Sequence, residues 1–336
     1  MATAAISSRA DLAVRSTTDR VLLREFLERD RLFAAYAICD LSEHEFARTR
    51  WGVATAGGEV VAVTLEYSGI TPQPMFVMGR PDGISAILKD VIRPRAAYVA
   101  ALPESLPAVA DHYRVDPGPE MIRMWVDRAT FQPSMARVER LLPLDVHDLN
   151  RLYRLGFAAW LPSSAVAEGV YYGIRVNGHL VAAAGTHVIG REAGLAVVGN
   201  VLTHADHRGR GYAKATTSAV TAELLRSCGQ VVLNVRADNP PAIAAYRRLG
   251  YREHCRFEER LARRTSPAWP DLAAPLRRLF SAWRSASAVQ PALDQAHPIT
   301  PPVDPTAAPA VDPAGAPLAD APEQPETGQP STQESP

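Results

Sequence analysis

Hydrophobic and polar positions alternate with the periods of strands and helices between Ala136 and Arg264. Within this segment, Asn177 and Gly178 separate two alternating stretches, a pattern typical of a β-hairpin with a two-residue turn. The pattern predicts strands at 137–142, 170–176, 179–189, 195–203, 230–235 and 252–261, and helices at 145–156, 211–227 and 241–249. We therefore expect a mixed α/β domain at 136–264.

The first 132 residues show a similar order of elements. A long helical pattern covers Asp19 to Phe46, and two strand-like stretches at 52–56 and 59–67 can pair across Gly57 and Gly58. Further strands are predicted at 75–78, 97–101 and 121–127, and helices at 84–91 and 106–112. We expect residues 1–132 to be a degenerate copy of the same fold, which shapes the substrate site or a homodimer and does no chemistry.

The sequence after residue 264 changes character twice. Residues 265–289 carry apolar side chains at helical spacing, which predicts a short amphipathic helix that packs on the body. From Gln290 onward there are twelve prolines and few large apolar residues, so we predict that 290–336 is a disordered Pro/Ala-rich acidic tail.

The net charge of zero hides an uneven distribution of charge. All seven charged residues after Arg284 are acidic, so the rest of the chain carries the compensating +7. Such a charge suits nucleic acid or a phosphate-bearing small ligand. Because the arginines are scattered, without interleaved aromatic residues or a recognisable reading helix, we expect no nucleic-acid partner.

The composition argues against several further classes of protein. No stretch of about 18 residues lacks polar interruption, and residues 1–15 lack the apolar segment of a secretory signal. We therefore expect a cytoplasmic protein with no membrane partner. Cys39, Cys228 and Cys255 are too widely spaced for a disulfide framework or a metal-binding cysteine pair, so we also expect no metal.

The clearest chemical signal lies where a predicted strand runs into a predicted helix. Gly209 and Gly211 permit close approach of a ligand to the backbone, and Arg208 and Arg210 can supply charge-assisted hydrogen bonds. Backbone N–H groups at such a loop and helix N-terminus form a site for phosphate oxygens. A dinucleotide-binding loop would have a third glycine where Lys214 stands, and the Gly-Lys-Ser/Thr of a nucleotide-binding P-loop is absent. Alone, the loop also fits a simple turn with solvated arginines.

A second segment, Asn239 to Tyr251, reads Asn-Pro-Pro-Ala-Ile-Ala-Ala-Tyr-Arg-Arg-Leu-Gly-Tyr. Asn239 suits a helix N-cap and Gly250 a helix end. With both segments in this order, the chain resembles the GNAT superfamily of acetyl-CoA-dependent N-acetyltransferases. Arg208 to Ala213 matches the phosphate loop of that family, and Asn239 to Tyr251 matches its Asn-x-x-Ala-x-x-x-Tyr-x-x-x-Gly-Phe/Tyr signature. The resemblance spans about residues 136–262, and the whole chain looks like two-copy members with a decayed first copy.

The resemblance implies a GNAT fold, with a mixed central sheet flanked by helices, and acetyl-CoA as co-substrate. Backbone groups of the strand before the loop would meet the pantetheine arm, and an amide near Val201 would polarise the thioester carbonyl. Tyr246 matches the tyrosine that protonates the departing CoA thiolate. The residues implied in cofactor binding are Val201, Leu202, Thr203, Arg208, Gly209, Arg210, Gly211, Tyr212, Ala213, Asn239 and Ala242.

The general base is where the sequence departs from well-known members of the family. Some of them carry a glutamate on the strand before the loop, whereas residues 195–202 offer only apolar residues and Asn200. We expect Asn200 to hold a water that removes the amine proton. His187, His204 and Glu192 are alternative bases.

These observations predict an N-acyltransferase. A primary amine of a small molecule or a peptide would attack the acyl-CoA thioester directly in a ternary complex, because no Cys or Ser lies in a nucleophile motif. A catalytically inactive acyl-CoA-binding module for regulation or sensing is the alternative, since the expected carboxylate base is missing. Nucleic-acid binding through the basic body is a third hypothesis, which predicts a steep salt dependence of affinity.

Overall fold

The computed structural model describes residues 12–68, 72–153 and 161–265. Within these residues, strands with alternating apolar positions form one continuous mixed sheet of thirteen strands. The amphipathic helix and the tail predicted after residue 265 lie outside these residues. In chain order the strands are β1 (Leu12–Thr17), β2 (Thr49–Ala56), β3 (Glu59–Tyr67), β4 (Gln73–Gly79), β5 (Ala96–Ala101), β6 (Tyr113–Val115), β7 (Glu120–Asp127), β8 (Glu139–Arg140), β9 (Tyr172–Val176), β10 (His179–Gly190), β11 (Leu195–Thr203), β12 (Gln230–Arg236) and β13 (Arg252–Arg264).

Helices connect and cover the strands. They are α1 (Arg20–Leu27), α2 (Ala35–Cys39), α3 (Glu43–Phe46), α4 (Pro81–Asp90), α5 (Leu106–Ala110), α6 (Val146–Tyr153), α7 (Ser163–Glu168), α8 (Tyr212–Leu224) and α9 (Pro240–Arg248). Within the described residues, no helix is both long enough and apolar enough to cross a membrane. The predicted fold class, a mixed sheet flanked by helices, is confirmed.

The predicted hairpin between β9 and β10 is confirmed. Val176 pairs with His179, and both turn residues have left-handed backbone, with φ of 50° at Asn177 and 79° at Gly178. Positive φ at both central residues is the geometry that Asn-Gly favours, because Asn tolerates this region and Gly has no Cβ.

The long helix predicted over 19–46 is wrong, because the chain breaks into α1, α2 and α3. After α1 the Asp30 side chain accepts the N–H of Phe33 at 3.2 Å. The buried guanidinium of Arg123, on β7, donates to the carbonyl oxygens of Leu32 and Phe33 at 3.0 Å each. Side chains thus satisfy backbone groups that a continuous helix would pair within itself, and the apolar period does not reveal this.

The same succession of strands and helices occurs twice along the chain. In each half, a run of antiparallel strands is followed by a helix and then by a strand parallel to the last one of the run. In the first half, α4 connects β4 to the parallel strand β5, and in the second half α8 connects β11 to the parallel strand β12. The last strands are exchanged: β7 lies between β12 and β13, while β13 lies between β5 and β7. One apolar cluster joins Phe33 and Phe76 to Val197 and Phe257. The two halves therefore share one sheet and one core.

Candidate functional site

Strands β11 and β12 stop pairing part of the way along their length and leave a wedge-shaped opening in the sheet, which we call the wedge. Their parallel register runs from Leu195 opposite Gln230 to Val198 opposite Leu233, although both strands continue. On its other side β11 pairs with β10 through a bulge, which includes Asn200 at φ 53°. Beyond Val198, the edge of β11 that faces β12 is therefore available to a ligand.

The loop between β11 and α8 presents backbone donors. Gly209 and Gly211 have φ of 77° and 78°, a region that glycine adopts without strain. The N–H groups of residues 209–211 make no backbone hydrogen bond within the described chain, and the first N–H groups of α8 have no intrahelical acceptor. Arg208 and Arg210 are exposed beside them. These donors and charges fit a diphosphate.

The equivalent junction in the first half, between β4 and α4, is occupied by its own side chain. Pro81 begins the helix and has no N–H. The Asp82 carboxylate accepts the N–H of Gly83 at 2.9 Å and pairs with Arg80, whose hydrogen bonds hold the pKa of Asp82 below its usual value. An internal carboxylate thus fills the place where a phosphate would bind.

Helix α9 begins and ends as its sequence predicts. The Asn239 side chain accepts the N–H of Ala242 at 3.3 Å, and Gly250 follows the helix with φ of 89°. Tyr246 is 6% exposed and packs in one apolar cluster with Val201 and Ala242. No described residue hydrogen-bonds its hydroxyl, and burial raises the pKa of Tyr246 to about 12. Tyr246 therefore carries a protonated phenol in the cluster that includes the strand bulge.

Asn200 is held firmly in the bulge. Its carbonyl oxygen accepts from the hydroxyl of Tyr153 at 2.7 Å, and its Nδ2 donates to the hydroxyl of Tyr171 at 3.0 Å. Its Oδ1 lies 3.2 Å from Nε2 of His187. Both polar ends of the Asn200 side chain therefore have protein partners.

His187 links the bulge to the first half of the chain. Because Asn200 Oδ1 can only accept, His187 Nε2 carries the proton and Nδ1 is left as an acceptor. The hydroxyl of Tyr36, on α2, lies 2.6 Å from that Nδ1 and donates to it. Sequence reasoning named His187 only as an alternative base and missed Tyr36, since no local pattern connects residues 151 positions apart.

The other alternative bases lie elsewhere. His204 accepts the N–H of Asp206 at 3.4 Å at the start of the phosphate loop, and Glu192 is exposed in the turn between β10 and β11. His187 and Tyr36 both line a cavity between the two halves of the chain, and neither His204 nor Glu192 lines it. Of the three alternatives, His187 alone faces that cavity.

Comparisons with known proteins agree with this geometry. Residues 137–251 match the family described as acetyltransferase (GNAT) family. A Drosophila protein solved by structural genomics aligns with TM-score 0.56 and 13% identity, over 76% of this chain and 99% of that chain. A GCN5-related N-acetyltransferase from Sphaerobacter thermophilus aligns with TM-score 0.52 and 15% identity, over 76% and 96%.

A tandem GNAT protein from the clavulanic acid biosynthesis pathway aligns with TM-score 0.47 and 15% identity, over 77% of this chain and 100% of that chain. No curated protein matches the chain in sequence. At identities this low, the two structures with TM-scores above 0.5 establish the fold.

Proposed function

We propose that the chain, whose residues 137–251 match the acetyltransferase (GNAT) family, transfers an acetyl group from acetyl-CoA to a primary amine. The amine attacks the thioester directly, in a ternary complex. The observation that carries the proposal is the open wedge after Val198 and Leu233, which leads to the donor loop at 208–213. A strand edge followed by a phosphate cradle suits an extended ligand with a diphosphate end.

In this proposal the loop and the strand edge of the wedge bind different parts of acetyl-CoA. The loop from Arg208 to Ala213 holds the diphosphate, and the edge of β11 at 201–203 meets the pantetheine arm. Asn239 and Ala242 lie beside that arm at the start of α9. An amide near Val201 stabilises the negative charge that develops on the carbonyl oxygen.

Tyr246 assists departure of the CoA thiolate in our proposal. Full transfer of a proton from a phenol of pKa about 12 to a thiolate whose conjugate acid is near 8.5 is uphill by roughly 5 kcal/mol. Tyr246 therefore donates a hydrogen bond to the sulfur while the C–S bond breaks, and the proton moves only as negative charge accumulates there.

The role we propose for Asn200 is to orient His187. We expected Asn200 to hold a catalytic water, but its Oδ1 meets His187 and its Nδ2 meets Tyr171. A side chain engaged at both ends is better suited to fixing the tautomer of a histidine. The degenerate copy in the first half, a homodimer and a cytoplasmic location stay predictions.

The proposed function is tested by measuring thiol release from acetyl-CoA and longer acyl-CoAs against a library of primary amines. We expect acceptor-dependent release by the wild-type chain. Tyr246→Phe should lower kcat roughly 100-fold while the Kd for CoA stays the same. Tyr172→Phe, which removes a phenol bonded to Glu223 away from the wedge, is the matched control. CoA binding without turnover for any amine would instead favour the inactive acyl-CoA-binding module.

A further inference from the structure

A cavity of about 540 Å³ lies between the two halves of the chain, apart from the donor loop. Helices α2 and α3 with strands β3, β4 and β5 form one side of it, and β10 with α7 forms the other. No residue of the loop at 208–213 lines this cavity. His187 does line it, and through Asn200 it also touches the bulge of β11. His187 and Asn200 thus connect the cavity to the bulge of β11.

A continuous series of hydrogen bonds leads from the cavity to the bulge. The Tyr36 hydroxyl donates to His187 Nδ1 at 2.6 Å, and His187 Nε2 donates to Asn200 Oδ1 at 3.2 Å. Asn200 is held in turn by Tyr171. Because Asn200 Oδ1 can only accept, a neutral His187 carries its proton on Nε2 and turns its unprotonated Nδ1 toward Tyr36.

We propose that this cavity is the acceptor site, and that Tyr36 and His187, one from each half of the chain, together remove the proton of the acceptor amine. The inference rests on the proposed function. It gives the first half, whose own phosphate position is filled by Asp82, a direct part in the reaction.

The proton balance of the proposed step is complete. An N–H proton of the acceptor ammonium moves to the Tyr36 oxygen, while the Tyr36 hydroxyl proton moves to His187 Nδ1. The resulting imidazolium keeps its Nε2–H on Asn200. The free amine forms a C–N bond to the acetyl carbon, and the C–S bond to CoA breaks. The nitrogen loses its second proton once the C–N bond has formed, and this proton restores the Tyr246 phenol, which has given its own proton to the CoA sulfur. His187 releases the first proton to solvent.

The lining of the cavity indicates the class of acceptor. Its volume falls within the range for drug-sized ligands, and aromatic rings of Phe33, Tyr36, Tyr67, Phe76 and Tyr98 line it. The acidic side chains around it are Asp40, Glu45, Glu168 and Glu259, and the basic ones are Arg48 and Arg123, with His44 at the same wall. Carboxylates outnumber guanidinium groups. We therefore expect a small-molecule amine with an apolar or aromatic body and no carboxylate beside the amine.

The test compares Tyr36→Phe, His187→Gln and the double variant with wild type, using the best amine from the thiol-release screen. Each single variant should lose roughly 100- to 1000-fold in kcat. The kcat of the double variant should be no lower than that of the less active single variant. Two groups that act as one unit give losses in kcat that do not multiply.

Tyr172→Phe is the matched control, since Tyr172 also carries a hydrogen-bonded phenol but bonds Glu223 and does not line the cavity. It should stay within about threefold of wild type. Equal Tm and equal Kd for CoA in all variants would show that they fold and bind the co-substrate. Equal kcat in Tyr36→Phe and Tyr172→Phe, or multiplicative losses in the double variant, would overturn the inference alone. No turnover by wild type with any amine would overturn the proposed function, and the inference with it.

Discussion

The hydroxyl of Tyr36 lies 2.6 Å from Nδ1 of His187, although the two residues belong to different halves of the chain. The surrounding structure holds this contact in place. Near the end of α2, Cys39 packs so closely on β10 that a Cβ at Gly190 would lie 2.6 Å from its sulfur. Before α2, Arg123 binds the carbonyl groups of Leu32 and Phe33, and its guanidinium lies 5.4 Å from the ring of Tyr36. The first half is therefore fixed against the site.

We expect the chain to bind one CoA molecule, because the donors at 209–211 are available whereas Asp82 fills the equivalent place in the first half. Replacing both Arg208 and Arg210 by Ala should raise the Kd for CoA roughly tenfold at low salt, the modest loss expected for exposed charges. Titration calorimetry measures both the stoichiometry and the Kd.

Two controls locate this effect at the diphosphate. Acetyl-pantetheine, which lacks that group, should bind the arginine variant and wild type equally. Arg80→Ala should leave CoA affinity unchanged, because Arg80 is paired with Asp82. A stoichiometry of two, or a loss with Arg80→Ala, would contradict the assignment.

Gly199→Ala should displace His187 without removing it. A Cβ at this position would lie 2.0 Å from Nε2 of the imidazole, so the ring must shift away from Asn200. We expect kcat to fall about 100-fold, with the Kd for CoA unchanged. Gly229→Ala is the control, since its nearest contact would be 3.8 Å. Wild-type kcat in Gly199→Ala would show that catalysis does not depend on the position of His187.

Most elements of the fold could be predicted because their signals are local. Asn177 and Gly178 gave the hairpin, and Asn239 and Gly250 gave the ends of α9, each through backbone chemistry that few residues permit. The helix over 19–46 failed because its break depends on Arg123, about ninety residues further along the chain. No periodicity within the segment carries that information.

The partners of the site were harder to predict than its motifs. Asn200 stands out in an apolar strand, but its bond to His187 depends on the register of β10 against β11, including its bulges. Tyr36 meets His187 only because the halves share one sheet through the exchange of β7 and β13. Strand exchange between halves leaves no trace in hydrophobic pattern, since either arrangement buries the same faces.

The stability of the chain should depend on pH through Asp40. Burial, reinforced by Glu45, raises the pKa of this cavity-lining carboxyl to about 8. Between about pH 4 and pH 8 the folded state therefore binds a proton that the unfolded state has lost, so stability falls as pH rises. Asp40→Asn cannot ionise, and its advantage in Tm over wild type should widen by roughly 5 °C from pH 5 to pH 8.

The exposed Asp90 supplies the control for that pH dependence. Asp90→Asn should follow the wild-type Tm at both pH values, as measured by thermal unfolding in matched buffers. A constant Tm difference between Asp40→Asn and wild type would mean that the carboxyl of Asp40 ionises in the folded chain as it does in water.

Asn200 should affect activity through its side chain and stability through its backbone, and two substitutions separate these effects. Asn200→Gly and Asn200→Ala both remove the acceptor of His187 Nε2 and the donor to Tyr171, so both should lower kcat to a similar extent. The φ of 53° suits Gly but strains Ala by roughly 1–2 kcal/mol. Urea unfolding should therefore find Asn200→Ala the less stable variant by about that amount. If instead Asn200→Gly kept wild-type kcat, the bulge alone would suffice for activity, and the orientation of His187 by Asn200 would play no part.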